Sequence, residues 1–278
     1  MERSKMKSLS LSDQLFLWLE KRQQPMHVGG LHLFSFPEGA DANYVTELAE
    51  YMRSFDQPNA PFDKRLKTRF AQYYWEKDKQ FDIDHHFRHS ALPKPGRIRE
   101  LLALISVKHG ALMDRERPMW ETHLIEGVEG RRFAMYYKVH HCMMDGVGAM
   151  RMTSKLLSED PNKTSLPPLW ALPESSKQRE VNVNNSSIVN SLATLASAAG
   201  KQISTVPTLI KEVSHAVNQA RNNPDYVSVF QAPPSILNTN ITGSRRFAAQ
   251  SYPIERFKTL AKSMDATLND VVMSVCGS

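Results

Sequence analysis

The sequence predicts an α/β fold in which a mixed sheet is covered by helices. Helix and strand signals alternate over about the first 160 residues, and this alternation is typical of a sheet packed against helices. The chain has 278 residues and a hydrophobic fraction of 41%, which allows a sizeable core. No apolar run approaches the roughly 18 residues that a membrane-spanning helix needs.

The individual elements follow from hydrophobic patterning and from the residues that end each pattern. Helices are predicted from Ser12 and Asp13 onward, over 41–53 and over 100–112. Strands are predicted over 25–36, 122–126 and 133–139. The last of these strands, FAMYYKV, is rich in aromatic and β-branched residues, so we expect it to be buried.

The composition changes near residue 160. The stretch EDPNKTSLPPLWALPESSKQREVNVNNSS is rich in Pro, Asn and Ser and predicts an exposed linker. Helical periodicity returns over 188–221, where Pro207 should start, kink or divide the helix. We expect this helix to pack on the body; attachment to a lipid surface is the alternative, with Lys201 and Lys211 on its polar face. The predicted division is 1–160, a linker with an amphipathic helix over 161–240, and the start of a second domain over 241–278.

The heptapeptide HHCMMDG, from His140 to Gly146, carries the strongest functional signal. It follows the FAMYYKV strand and precedes a helix-like run, so it bridges a strand end and a helix start. The helix-like run places three apolar residues on one face: Val147, Met150 and Leu157, with Leu156 beside them. Because adjacent strand residues point to opposite faces, only one of His140 and His141 can face a pocket if the strand continues through the pair.

A neutral histidine at this place suits general-base chemistry. Its unperturbed pKa of roughly 6.5 lets it take a proton from a hydroxyl near neutral pH, and such catalysis contributes about 10² to 10⁴ in rate. An alcohol activated in this way can attack a thioester carbonyl directly, since the thiol that leaves has a pKa of only about 8.5. The alternative is structural: Asp145 is a good helix N-cap, and the histidine pair could be hydrogen-bonded in the core.

Two other groups could carry chemistry. His85, His86 and His89 would supply metal ligands if a helix placed His85 and His89 on one face. The segment FDIDHHFRH looks extended, however, so we favour a structural or pocket-lining role and predict no metal site. Cys142 is interpreted as a small packing residue, and a Cys-His nucleophile is the alternative.

The net charge and the cysteine content indicate which partners and which cellular compartment to expect. The net charge of +6 could attract anionic lipid headgroups or the phosphates of coenzyme A. The basic residues are dispersed and form no nucleic-acid motif, so no nucleic-acid partner is predicted. Two distant cysteines give no disulfide framework and fit a reducing cytoplasm, and no signal peptide is recognised.

Several ordered segments resemble one family over essentially the whole chain. They are QQPMHVGGLHLFSFPEG, FDIDHHFRHSALPKPG, DRERPMWETHLIEG, HHCMMDG, SRRFAAQ and LNDVV. The chain resembles the bacterial bifunctional wax ester synthase/acyl-CoA:diacylglycerol acyltransferase family. The resemblance implies a two-layer fold related to chloramphenicol acetyltransferase and to the condensation domains of peptide synthetases. It also implies transfer of a fatty acyl group from acyl-CoA to diacylglycerol or a long-chain alcohol, giving storage triacylglycerol or wax ester without a cofactor.

The resemblance also implies roles for the motif residues. His141 would be the general base and His140 would support it. Asp145 would point away from substrate and stabilise the loop through an arginine. Gly146 would leave room for the pantetheine arm or the acyl chain, as glycine does where a ligand approaches the backbone.

The family's Pro-Leu-Trp and Asn-Asp motifs have counterparts here. The first falls on Pro118, Met119 and Trp120, with Met as a volume-conserving replacement for Leu. We predict that Pro118 and Trp120 contribute to substrate binding; a core aromatic is the alternative for Trp120. Asn269 and Asp270 match the second motif at the start of a helix, where N-capping by Asn269 is the alternative to shaping the active site.

One departure is the length. Family members typically run further, so a second half with an Asn-Val-Pro-Gly-Pro segment is expected to be missing and the domain over 241–278 incomplete. The alternatives are therefore a non-catalytic half-fold that binds acyl chains or needs a partner half, and a condensation-type enzyme that uses a carrier protein. PMHVGG and FDIDHHFRHSALP favour the lipid acyltransferase, in the cytoplasm or peripheral on the inner membrane or on lipid inclusions.

Overall fold

The computed structural model describes residues 7–69, 72–160, 163, 166–173 and 239–277. Contacts divide the chain into two units, 1–245 and 246–278. The first unit contains the sheets and the HHCMMDG motif; the second contains two packed helices. The domain division at 161 and 241 stays a prediction.

The larger sheet has four strands. They are His27–Ser35 (β2), Phe87–Ala91 (β5), Trp120–Val128 (β6) and Arg132–His140 (β7). Their order across the sheet is β2-β7-β6-β5, with β5 and β6 parallel and the other pairs antiparallel. The predicted α/β class with a mixed sheet is confirmed, and three of these strands match the predicted ones.

A second sheet was not predicted. It consists of Lys7–Ser8 (β1), Lys64–Arg69 (β3) and Gln72–Lys77 (β4), all antiparallel in the order β1-β4-β3. Charged side chains dominate the β3 sequence KRLKTR, in which Leu66 is the buried residue.

The described residues form seven α-helices. In the first unit they are Leu11–Leu19 (α1), Tyr44–Arg53 (α2), Ile83–His86 (α3), Ile98–Gly110 (α4) and Gly146–Leu156 (α5). In the second unit they are Ile254–Ser263 (α6) and Leu268–Gly277 (α7). Helix α1 begins one residue before the predicted Ser12, because the Ser10 side chain caps it by accepting a hydrogen bond from the Asp13 N–H. None of the described helices is long and apolar enough to cross a membrane.

Strand β7 divides its side chains between two cores, as the period of a strand requires. Phe133 and Val139 pack on one side in a cluster that includes residues of α2. Ala134 and Tyr136 pack on the other side against residues of α4. Each fully buried large apolar side chain contributes about 1.5–3 kcal/mol, so burial on both sides fixes the strand that leads to His140.

The prediction of an exposed linker from residue 161 is wrong for the segment PPLWAL. Leu169–Ala171 forms a 3-10 turn whose Trp170 is fully buried and stacks on Trp120 with ring centroids 5.2 Å apart. The Trp170 indole donates a hydrogen bond to the Phe55 carbonyl at 2.8 Å. Burial of this apolar segment outweighs its polar, proline-rich surroundings. The predicted helix over 188–221 lies outside the described residues.

The apolar face that the sequence assigns to α5 does not pack on the core. Its three residues Val147, Met150 and Leu157 are 55%, 74% and 47% exposed. Met152 and Leu156, four residues apart, pack on the core instead. The sequence shows which residues share a face of α5, but it does not show which face packs on the core.

Candidate active site

The motif HHCMMDG lies between the end of β7 and the start of α5, as predicted. Strand β7 ends at His140, whose N–H donates to the Met119 carbonyl at 3.0 Å. The His141 N–H donates to the Met26 carbonyl at 2.8 Å. The two histidines are therefore held by backbone contacts from both sides of the strand.

His141 is the accessible member of the pair. Its side chain is partly buried and stacks on Phe16 of α1, with ring centroids 4.2 Å apart and 21° between the planes. Within the described part of the chain its ring nitrogens make no hydrogen bond, so the imidazole can exchange a proton with a bound hydroxyl.

Asp13 lies close enough to His141 to interact with it electrostatically. Burial raises the pKa of the Asp13 carboxyl, and hydrogen bonds from Ser10 and the charge of His141 oppose that rise.

His140 is fully buried. Its Nδ1 accepts a hydrogen bond from the Cys142 N–H at 3.1 Å, which requires a neutral ring to carry its proton on Nε2. That Nε2 lies 3.5 Å from Oε1 of Glu20. The geometry gives His140 a supporting position behind His141.

Glu20 is a buried carboxylate with several partners. Its Oε1 accepts from the Met26 N–H at 3.1 Å, and its Oε2 accepts from Arg115 at 2.9 Å. Arg115 also donates to the Leu17 carbonyl at 2.7 Å. Burial alone would raise the pKa of Glu20, but the nearby ring of His140 and hydrogen bonds from the Met26 N–H and Arg115 lower it to about 2. The carboxylate therefore stays ionised at every pH relevant to activity.

Asp145 and Gly146 lie where the helix α5 begins. Asp145 is exposed and accepts a hydrogen bond from the Gly148 N–H at 2.6 Å, as an N-cap does. The arginine partner expected for Asp145 is not found within the described ranges. A Cβ added at Gly146 would meet nothing within 4 Å, so open space adjoins this backbone.

The segment Pro118–Met119–Trp120 is buried beneath the motif. Met119 supplies the carbonyl that holds His140, and the Trp120 indole donates to the Phe62 carbonyl at 2.9 Å. Trp120 belongs to the main hydrophobic core. Trp120 is therefore a core aromatic, the alternative considered for it. Substrate contact by Pro118 or Trp120 stays a prediction, and the burial of these residues does not support it.

The three histidines of FDIDHHFRH do not share a helix face. Contrary to the extended structure expected, His85 and His86 end the short helix α3, and His89 lies in β5. His86 is sandwiched between Phe81 and Trp120, at centroid distances of 4.9 and 4.6 Å, and donates to the Trp120 carbonyl at 2.8 Å. Burial lowers the pKa of His86 to about 4, so it is a neutral packing residue. The described residues contain no cluster of three potential metal ligands.

Cys142 is buried among apolar side chains. Burial raises the pKa of its thiol far above neutrality, which disfavours the thiolate that a nucleophile requires. The packing interpretation of Cys142 therefore fits the structure better than the Cys-His alternative.

Asn269 and Asp270 lie in the first turn of α7, in the second unit. The N-capping role considered for Asn269 is wrong, because Thr267 accepts from the Asp270 N–H and Asp270 accepts in return from the Thr267 N–H and hydroxyl. This reciprocal pair resembles a capping box. A contribution of these two residues to the active site stays a prediction.

Sequence reasoning missed four residues near the histidine pair, which lie in α1, directly after it and in the segment before Trp120. They are Asp13, Phe16, Glu20 and Arg115. Asp13 and Phe16 are spaced i and i+3, so they share one side of α1, and Glu20 directly follows the helix. This spacing was the available signal, but nothing in the sequence paired it with histidines about 120 positions away.

The chain is similar in sequence and in structure to known proteins. Residues 9–272 match a family model described as the wax ester synthase/diacylglycerol acyltransferase catalytic domain. The chain is 47% identical to an O-acyltransferase WSD of Acinetobacter baylyi over 98% of its own length and 58% of that protein. It is also 38% identical to a Mycobacterium tuberculosis protein named "probable" diacylglycerol O-acyltransferase. That similarity covers 95% of this chain and 57% of the other protein.

A solved structure is also similar. The wax ester synthase/diacylglycerol acyltransferase from Marinobacter aquaeolei VT8 matches with a TM-score of 0.74 and 48% identity, over 97% of this chain and 59% of that one. The chain thus spans a little under three fifths of the length of the relatives that it matches.

Proposed function

The chain belongs to the wax ester synthase/diacylglycerol acyltransferase family, and we propose that it transfers a fatty acyl group from acyl-CoA to diacylglycerol or a long-chain alcohol. The products would be triacylglycerol and wax ester, both storage lipids. The observation that carries the proposal is the placement of His141: its ring is accessible and stacked on Phe16, in a motif whose last residue, Gly146, adjoins open space.

The proposed reaction needs one base and no covalent enzyme intermediate. His141 takes the proton of the acceptor hydroxyl while the oxygen of that hydroxyl bonds to the thioester carbonyl carbon. The tetrahedral intermediate then collapses, the carbon–sulfur bond breaks, and the proton on His141 passes to the thiolate of coenzyme A. The ester and free coenzyme A leave, and His141 is neutral again. The thioester supplies the activated acyl group, so acyl-CoA is a co-substrate and we propose no cofactor and no metal.

The neighbouring residues take supporting roles in this proposal. His140 holds the turn that presents His141 through its hydrogen bond from Cys142. Asp145 fixes the start of α5 through its cap on Gly148, and the side-chain-free Gly146 leaves space for the pantetheine arm or the acyl chain.

We also propose a cytoplasmic enzyme that reaches its water-insoluble acceptor at a membrane or lipid-inclusion surface. The net charge of +6 would favour contact with anionic headgroups. No nucleic-acid partner is part of the proposal.

The test is release of coenzyme A thiol from palmitoyl-CoA by the purified protein, with and without hexadecanol or diacylglycerol. We expect acceptor-dependent release that falls by about 10² to 10⁴ in His141→Ala. His85→Ala, a histidine outside the motif, is the matched control and should retain wild-type release. Equal rates in wild type and His141→Ala would contradict the proposal, as would thiol release that does not depend on an acceptor. If this chain releases none, the same variants in a protein of family length decide the question.

A further inference from the structure

Helix α1 aims three functional groups at the histidine pair. Phe16 stacks on His141, Asp13 interacts with the charge of His141, and Glu20, which directly follows α1, approaches His140. The helix is thus a wall of the site, although it lies about 120 residues before the motif.

Glu20 is the most unusual of these residues because its charge is buried. Its side chain is 2% exposed. Removing a carboxylate from water costs several kcal/mol unless partners compensate. Three segments supply those partners: Arg115, the Met26 N–H and the ring of His140. An apolar side chain could fill the same volume without that cost, so the ionised group must have a use.

The contacts of Glu20 reach both histidines. Its Oε1 faces the Nε2 of His140, the nitrogen that must carry the proton because Nδ1 accepts from Cys142. The same Oε1 accepts from the Met26 N–H, while the Met26 carbonyl accepts from the His141 N–H at 2.8 Å. One carboxylate therefore contacts the ring of His140 directly and the backbone of His141 through a single residue.

We propose that Glu20 is a positioning residue for acyl transfer, holding the ring of His140 and the turn that presents His141, with Arg115 holding the carboxylate in place. The inference rests on the proposed function in taking His141 as the base. A carboxylate that orients a histidine by accepting from its ring N–H is a general device, and loss of such a partner costs about 10- to 100-fold in metal sites.

Glu20→Gln tests the proposal with little change of shape. Both carboxylate oxygens accept hydrogen bonds, and in glutamine one of them becomes an NH₂ group that must face a donor. We expect kcat to fall by about 10- to 100-fold while KM for palmitoyl-CoA changes less than about twofold, because the residue does not touch substrate. The matched control is Glu100→Gln, which removes the surface pair with Arg97 on α4 and should leave kcat unchanged.

A second measurement does not depend on turnover. In protein labelled with ¹⁵N at histidine, the ring signals of His140 should show protonated Nε2 and unprotonated Nδ1 in wild type. In Glu20→Gln the signal of the Nε2–H, which faces residue 20, should shift, and in Glu100→Gln it should not. This result does not depend on thiol release. A failure of the proposed acyl transfer can therefore be distinguished from a failure of the role proposed for Glu20.

Arg115→Lys is the second variant, in case Glu20→Gln does not fold. Lysine keeps the positive charge but cannot reproduce the planar donor pattern that joins Glu20 to the Leu17 carbonyl, so a smaller loss of kcat is expected in the same direction. A lower thermal midpoint with kcat and the His140 ring signals unchanged would overturn the proposal, because Glu20 would then be structural only.

Discussion

The two helices beside the histidine motif differ in how they are packed. Helix α1 buries Leu15 and Leu17 and places Phe16 on the ring of His141. Helix α5, which begins within the motif, has no buried residue and leaves Met150 74% exposed. The site is therefore fixed from the α1 side and open on the α5 side. Positioning groups are expected on the first, and substrate access on the second.

The largest expected difference between the two helices is in stability. Leu17→Ala should lower the free energy of unfolding by about 2–5 kcal/mol, because Leu17 is 1% exposed in a cluster with Met119 and Cys142. Met150→Ala should change it by less than about 0.5 kcal/mol. Urea unfolding of both variants measures the contrast. Similar costs at the two positions would mean that α5 is packed as tightly as α1.

The ionised Glu20 predicts an acid-dependent stability. Its pKa is about 2 in the folded protein and ordinarily 4.5, so its contribution is complete above pH 4.5 and is lost as the pH falls toward 2. A shift of this size corresponds to about 3 kcal/mol. The measurement is urea unfolding of wild type and Glu20→Gln at several pH values within this window. The variant should lose much less stability on acidification, and identical slopes would contradict the assignment.

A smaller effect is expected from the aromatic contact. Phe16→Ala removes the ring stacked on His141, an arrangement worth about 0.5–1.5 kcal/mol beyond its buried area. If that energy holds the ring in its productive orientation, kcat should fall by up to about tenfold. Trp18→Ala, an exposed aromatic on the same helix, is the control. Equal kcat values for the two variants would mean that the contact of Phe16 with His141 does not contribute to catalysis.

The sequence predicted the central elements because their signals are local. FAMYYKV has the composition of a buried strand, and β7 exceeds the predicted strand by one residue at each end. The position of HHCMMDG between this strand and α5 followed from the same pattern. The family resemblance of the motif also led to the prediction that His141 is the base.

The remaining features depend on contacts between distant segments. Trp170 lies in a stretch whose composition predicts an exposed linker, and only the pocket formed by Trp120 and Phe87 explains its burial. The sequence grouped Val147, Met150 and Leu157 on one face of α5, but it does not show which face of the helix packs on the core. Glu20 and Arg115 resemble ordinary surface charges in the sequence, and their ion pair brings together residues 95 positions apart.

The most direct test of the account is a double-mutant cycle between Glu20 and His141, read as acceptor-dependent thiol release from palmitoyl-CoA. If Glu20 acts on catalysis through His141, Glu20→Gln should cost about 10- to 100-fold in wild type and less than about twofold in His141→Ala, because groups that act as a unit are not additive. An equal loss in both backgrounds would contradict the account, since Glu20 would then act independently of His141.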